Sequence, residues 1–292
     1  MHTADTSFEQ YLAAVVDRAA ESRCPPLLAN ALRYTVFPGG ARVRPTLCLA
    51  VAAASGNSDP MLAAGAAGAI ELLHCASLVH DDLPCFDNAR ERRGKPSVHV
   101  AFGERIAVLA GDTLIVTAFE SLALAAVRAA SPERLSAVLG IVARGVGAPL
   151  GICAGQAWEC EPTVDVSLYH RSKTGALFVA ATCAGAAAAG GDPSAWELLG
   201  ERIGEGYQVA DDIHDATATE ASLGKPVGRD EALGRPSAVR ELGLDGAVQR
   251  LKQLVEEGAE SIPDCPGRAR MQELVRAQAK RFLPKSLGRR AA

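Results

Sequence analysis

The chain has 292 residues, of which 48% are hydrophobic and 13 aromatic, and it carries a net charge of −4. That composition is ample for a deep, alanine-rich, closely packed core, and it argues against a nucleic-acid partner or an anionic membrane surface, both of which reward basic patches. The eight cysteines, at 24, 48, 75, 85, 153, 160, 183 and 265, form no C-x-x-C pair and read as reduced thiols of a cytosolic protein.

Met1 to Glu21 is polar and acidic, with no basic stretch running into an apolar one, so it does not read as a secretory signal. Helical spacing predicts helices over 6–22, 26–36, 43–54, 60–86, 104–128, 132–149, 165–190, 194–215, 244–258 and 267–282, whereas strand alternation persists nowhere. Breaks fall at Pro38-Gly39-Gly40, Ser55-Gly56-Asn57-Ser58, Arg93-Gly94-Lys95-Pro96, Gly190-Gly191-Asp192-Pro193 and Gly224-Lys225-Pro226. The uncharged segment from Gly175 to Gly191 is too short and too rich in Ala and Gly for a membrane span of about 20 apolar residues, and reads as a buried helix. With no repeat and no low-complexity linker, a single all-α domain over 1–292 is expected.

Two aspartate clusters stand out, Asp81-Asp82-Leu83-Pro84-Cys85-Phe86-Asp87 and Asp211-Asp212-Ile213-His214-Asp215, each entered from an apolar run. Carboxylates at the edge of a core are costly unless something offsets their desolvation, and a hard cation such as Mg²⁺ does so while bridging to phosphates. Arg92-Arg93-Gly94-Lys95-Pro96 adds a basic turn suited to diphosphate oxygens. Asp211 and Asp215 share a helical face and Asp212 points aside. Asp81 and Asp87, six apart, would lie about 120° out of line on a straight helix, so the helix is expected to end or distort after Pro84. Taken alone, one Asp-Asp pair also reads as a helix cap or a solvated helix end.

With these motifs the chain resembles the trans-prenyl diphosphate synthases. The likeness also includes Gly39-Gly40-Ala41-Arg42-Val43-Arg44-Pro45, Phe102-Gly103-Glu104, Leu109-Ala110-Gly111-Asp112, Lys173-Thr174-Gly175-Ala176-Leu177-Phe178, Tyr207-Gln208 and Leu223-Gly224-Lys225. The segments Phe37–Arg42 and Gly151–Glu159 look most like the geranylgeranyl diphosphate synthases of purple photosynthetic bacteria. The resemblance implies an α-helical bundle around a deep central cavity, a homodimer, and three Mg²⁺ ions held by Asp81, Asp82, Asp87, Asp211, Asp212 and Asp215. It implies that Arg92 contacts an allylic diphosphate, which Lys173, Thr174, Gln208 and Lys225 close over. Arg93, Arg42 and Arg44 would contact isopentenyl diphosphate, with His74 nearby and Arg235 keeping the charge of a second family lysine. His80 and His99 read as structural. In the family a bulky aromatic just before the first cluster stops growth at C15; Ala76 and Ser77 are small there, so the resemblance implies a C20 product for isoprenoid or carotenoid pathways, unless Ala76 only packs on a neighbouring helix and Phe119 sets the floor.

Three departures qualify the likeness. Asn88 stands where many relatives have another Asp, and Glu159 replaces an Asp. Ala41 replaces a lysine that contacts isopentenyl diphosphate, which keeps open a non-catalytic partner subunit; a farnesyl diphosphate synthase is the other alternative. A terpene cyclase is disfavoured because Asp215 and Thr219 miss two diagnostic positions of its second metal motif, and because the Gly39–Pro45 segment has no role in one.

Overall fold

The protein is described here by a computed structural model covering residues 2–37, 40–217 and 237–282. It is all-α apart from one two-residue strand pair among the described residues. The chain forms two compact units, Met1–Ala143 with Ala184–Gly191, and Arg144–Cys183 with Asp192–Ala292.

The first unit contains α1 (His2–Ala19), α2 (Pro26–Val36), α3 (Val43–Ala54) and α4 (Pro60–Asp81). A hairpin of β1 (Glu91–Arg92) and β2 (Lys95–Pro96) follows, then α5 (Val98–Phe102), α6 (Glu104–Val127) and α7 (Leu135–Val146) as far as Ala143. α4 is the centre of this unit. Asp59 caps it by accepting from Leu62 N–H at 3.1 Å, and Pro60 fills the first helical position, where no amide donor is missed. Fourteen of its 22 residues are buried, on all sides, as a helix wrapped by others requires. Small residues let α6 come close: a Cβ on Gly65 would lie 2.5 Å from Ala125 Cβ. α4 and α6 are long and apolar enough to cross a membrane by length and composition, but 78% of α4's apolar window is buried inside the protein.

The second unit contains α8 (Ile152–Ala157), α9 (Val166–His170), a π turn (Arg171–Gly175), α10 (Ala176–Ala189) as far as Cys183, α11 (Glu197–Thr217), α12 (Ala238–Glu260) and α13 (Arg268–Phe282). α11 packs along α12, and Arg202 and Arg250 tie the pair, the first to Glu257 at 2.7 Å and the second to Glu205 at 2.6 Å.

The helices expected at 26–36 and 43–54 match α2 and α3. The helix expected over 60–86 ends five residues sooner, at Asp81, before Pro84 is reached. The span 165–190 is divided by the π turn, and the short α5 and α8 escaped the periodicity, being five and six residues long. The hairpin has strands of two residues each, too short for any alternation to persist. Its two-residue loop, Arg93-Gly94, has φ of 55° and 74°, the positive pair that a primed turn demands. All eight cysteines are free thiols. Burial pushes Cys48 and Cys75 up to about 12 and Cys183 up to about 11, which keeps them protonated and inert.

Candidate active site

In the first unit, the end of α4 builds the aspartate cluster. After Asp81 the chain tightens into a turn in which Asp87 N–H donates to Asp81 C=O at 3.0 Å. That bond swings Asp87 back, as the six-residue spacing required, and brings carboxylate oxygens of Asp81 and Asp87 within 4.8 Å of each other. Asn88, at φ 47°, completes the turn. Asp82 is 2% exposed and faces the hairpin instead. Arg92 Nε donates to its two oxygens at 3.0 and 3.2 Å, Arg92 Nη2 adds a further short contact, and Arg92 Nη2 also lies 3.6 Å from Asp81. Burial pushes the Asp82 carboxyl above its usual range, and the Arg92 fork opposes that push. Asp82 therefore anchors the basic hairpin to α4 through the Arg92 guanidinium.

The hairpin's other cations divide similarly. Lys95 Nζ donates to the carbonyls of Tyr34 and Phe37, at 2.5 and 3.2 Å, and so satisfies the C-terminal end of α2. Arg93 is exposed and lies flat on Gly40, where a Cβ would come within 2.6 Å of its guanidinium carbon. Arg44, in the first turn of α3, brings Nη1 to 3.5 Å from His74 Nε2. Arg42 is 6% exposed and bonded to Glu9, Glu71 and the Val36 carbonyl. Of α4's last eight residues, His74, Ser77, Leu78 and Asp81 form a half-buried stripe at helical spacing, while Ala76 is 1% exposed. His80 packs on α6, where a Cβ on Gly111 would strike its ring, and His99 Nδ1 pairs with Ser97 Oγ at 3.0 Å.

In the second unit, Asp211 and Asp215 lie one turn apart on an exposed face of α11. Asp212 is buried. Its Oδ1 accepts from Gln208 Nε2 at 3.2 Å, and its Oδ2 accepts from Ala238 N–H, the first residue of α12, at 2.8 Å. It thus ties the start of α12 to α11. Thr174 Oγ1 donates to Gln208 at 3.1 Å, linking the π turn to the same chain of bonds. Lys173 Nζ is held by Glu159 at 2.5 Å, and Glu159 also accepts from Tyr169 Oη at 2.6 Å and Gln156 Nε2 at 3.0 Å. Gly155 permits this grip, because a Cβ there would sit 2.3 Å from the Lys173 amide nitrogen. Lys225 and Arg235 lie outside the described residues.

Residues 25–269 match the family model described as polyprenyl synthetase. The chain belongs to the polyprenyl synthetase family. It is 53% identical over 282 residues to a geranylgeranyl diphosphate synthase of Cereibacter sphaeroides, with 97% of each chain covered. It is 49% identical to the enzyme of that name from Rhodobacter capsulatus, with 96% of each covered. Among solved structures it is similar to an FPP/GFPP synthase from Zymomonas mobilis, with a TM-score of 0.78, 29% identity, and coverage of 94% of this chain and 98% of that one. A geranylgeranyl pyrophosphate synthetase from Pyrococcus horikoshii gives a TM-score of 0.74 at 29% identity, covering 94% and 99%.

For a polyprenyl synthetase, the donor chemistry fits Mg²⁺. The carboxylates of Asp81 with Asp87, half-buried, and of Asp211 with Asp215, exposed, are hard oxygen ligands, with neither thiolate nor imidazole among them. Sequence reasoning missed Glu9, Glu71 and Tyr169, which hold Arg42 and Lys173. Glu71 did leave a signal, since it is the one charged residue within the apolar stretch of α4 before His80.

The arginines around His74 have a measurable consequence. Burial pulls its imidazole well below the ordinary 6.5, and Arg44, Arg93, Arg92 and Arg42 pull it further, so it is neutral at pH 7. A depressed folded value means that the unfolded chain binds the proton first, so stability is intact above 6.5 and declines as pH falls below it toward the folded value. Melting curves between pH 7.5 and pH 5.5 (about two units spanning the unfolded value) are expected to show this decline in the wild type. The decline is expected to be smaller in His74→Gln.

Proposed function

We propose that the protein is a Mg²⁺-dependent trans-prenyltransferase that joins isopentenyl diphosphate head-to-tail to allylic diphosphates, with geranylgeranyl diphosphate as main product. The observation that carries this reading is the return of Asp87 to Asp81 beside the Arg92–Arg93 hairpin, in a chain of this family. The 53% and 49% identical geranylgeranyl diphosphate synthases support the C20 product. One family model running through 25–269 supports a single synthase domain spanning both compact units.

Asp81, Asp87, Asp211 and Asp215 would hold Mg²⁺, three ions in all, whose charge neutralises the departing diphosphate. Arg92 and Lys173, with Lys225, bind the allylic diphosphate, aided by Thr174 and Gln208; Arg44, Arg93 and His74 receive isopentenyl diphosphate, with Arg235 as a further cation. The allylic C–O bond breaks with its electron pair leaving on the diphosphate. The double bond of isopentenyl diphosphate attacks the resulting cation, and a proton then leaves to the released diphosphate. No side chain serves as nucleophile; the protein's part is electrostatic stabilisation and orientation. A cytoplasmic location suits a chain with eight free thiols, and a homodimer suits α6, whose Leu109, Val116 and Val127 are 50, 67 and 83% exposed.

Incubating the purified chain with isopentenyl diphosphate, Mg²⁺ and dimethylallyl, geranyl or farnesyl diphosphate, then weighing the products, tests the reading. A C20 product from each primer, abolished by chelation, is expected. A product that stops at C15 makes it a farnesyl diphosphate synthase, and no product from any primer makes it a partner subunit. Ala41 is exposed, so a longer side chain fits there. Ala41→Lys is expected to tighten isopentenyl diphosphate binding by about 1.5–3 kcal/mol, the worth of one charge-assisted contact, read as a lower KM.

A further inference from the structure

The basic turn Gly40–Arg44 carries two arginines, and the fold gives them different surroundings. Arg44 is half-buried beside His74. Arg42 is turned inward, and all three of its guanidinium nitrogens are occupied. Nε donates to Glu9 Oε1 at 2.7 Å and Nη1 to Glu71 Oε1 at 2.5 Å. Nη2 donates to the Val36 carbonyl at 2.9 Å and to Glu9 Oε2 at 3.3 Å. Glu71 is itself 2% exposed, so a diphosphate that drew Arg42 away would leave a carboxylate buried and uncompensated. The backbone agrees with the side chain. Arg42 is left-handed, at φ 48° and ψ 37°, a region unfavourable for a residue with a Cβ and kept only where surrounding contacts impose it. Arg42 is also the cap residue of α3, and Arg44 stands two residues on, in that helix's first turn.

We propose that Arg42 is a positioning residue rather than a substrate ligand: with Glu9 of α1 and Glu71 of α4 it fixes the start of α3, so that Arg44 is held beside His74 to receive isopentenyl diphosphate. The naming of that ligand rests on the function proposed above. Glu9 thereby gains a role in substrate affinity from a helix that carries none of the recognised motifs.

Replacing Glu9 separates the two accounts by sign. If Glu9 steadies Arg42, then Glu9→Gln loosens the turn and weakens isopentenyl diphosphate binding. If Arg42 instead contacts the diphosphate, Glu9 competes for it, and Glu9→Gln tightens binding. The Glu9 side chain is 39% exposed, so the substitution is tolerated by the fold. The readout is calorimetric binding of isopentenyl diphosphate, and separately of farnesyl diphosphate, to the full chain with Mg²⁺. Expected is a Kd for isopentenyl diphosphate raised about threefold or more, with that for farnesyl diphosphate changed less than about twofold, and partial recovery in Glu9→Asp. Equal or tighter isopentenyl diphosphate binding overturns the proposal, and so does an equal loss for both ligands, which marks a merely structural role. A wild type that binds no isopentenyl diphosphate removes the proposed function and this proposal together.

Discussion

Asp81→Asn and Asp211→Asn are each expected to lower turnover by at least about 100-fold, the scale of losing one electrostatic contact that matters most in the transition state. Asparagine keeps the size of the side chain and one acceptor oxygen, so the change is one of charge. For Asp81 the loss of activity should come with little change in stability. Asp81 is the last residue of α4, where a negative charge opposes the helix dipole, and it lies within 4.8 Å of another carboxylate, Asp87. Removing its charge relieves both repulsions but also gives up the 3.6 Å ion pair with Arg92, so the melting temperature of Asp81→Asn should change little while turnover collapses. Asp82→Asn should instead lower the melting temperature, because it takes from the part-buried Arg92 guanidinium the carboxylate that accepts its hydrogen bonds. Circular dichroism should show unchanged helicity in Asp81→Asn and Asp211→Asn. Should either variant keep more than roughly half of wild-type activity, that carboxylate is not supplying the transition-state contact assigned to it.

The contrast between Asp81 and Asp82 also marks how far the sequence could be read. Periodicity located α2 and α3 to the residue, since proline and glycine punctuation brackets them. It also implied that Asp87 must turn back toward Asp81, because six residues do not fit whole helical turns. What it could not supply was the division of labour within each pair. Asp81 and Asp82 are equivalent as letters, and so are Asp211 and Asp212. Only the arrival of Arg92 from the hairpin, and of Ala238 N–H from α12, turns the second member of each pair into an anchor. Arg42 is the same case: in a basic turn it reads as a surface charge, and its burial depends on Glu9 and Glu71, far off in sequence. The π turn at Arg171–Gly175 escaped because its residues suit an ordinary helix; it is a feature of backbone geometry that presents Lys173 to Glu159.

Ser77→Tyr is expected to change the main product from C20 to C15 with little change in melting temperature. The growing chain is proposed to run from Asp81 back along α4, and the residues that meet it must lie on the helix face that is not already packed. That face is the half-buried stripe of His74, Ser77, Leu78 and Asp81. Ser77 sits about 6 Å back from Asp81 along the axis, given the rise of 1.5 Å per residue, and its hydroxyl only returns to the His74 carbonyl at 2.8 Å. A ring there enters the stripe from a position that is only half-buried. Ala76, one residue deeper, is the other small side chain near the cluster, and Ala76→Tyr is also expected to shorten the product to C15. It differs in cost. At 1% exposure Ala76 touches almost no open space, so a tyrosine must push neighbouring side chains aside, an overpacking worth about 1–3 kcal/mol. The two variants should therefore agree by mass spectrometry and part company on melting, with Ala76→Tyr the less stable. A wild type that already makes mainly farnesyl diphosphate, or a Ser77→Tyr protein whose product remains C20, would show that the stripe does not carry the chain and that its floor is built elsewhere.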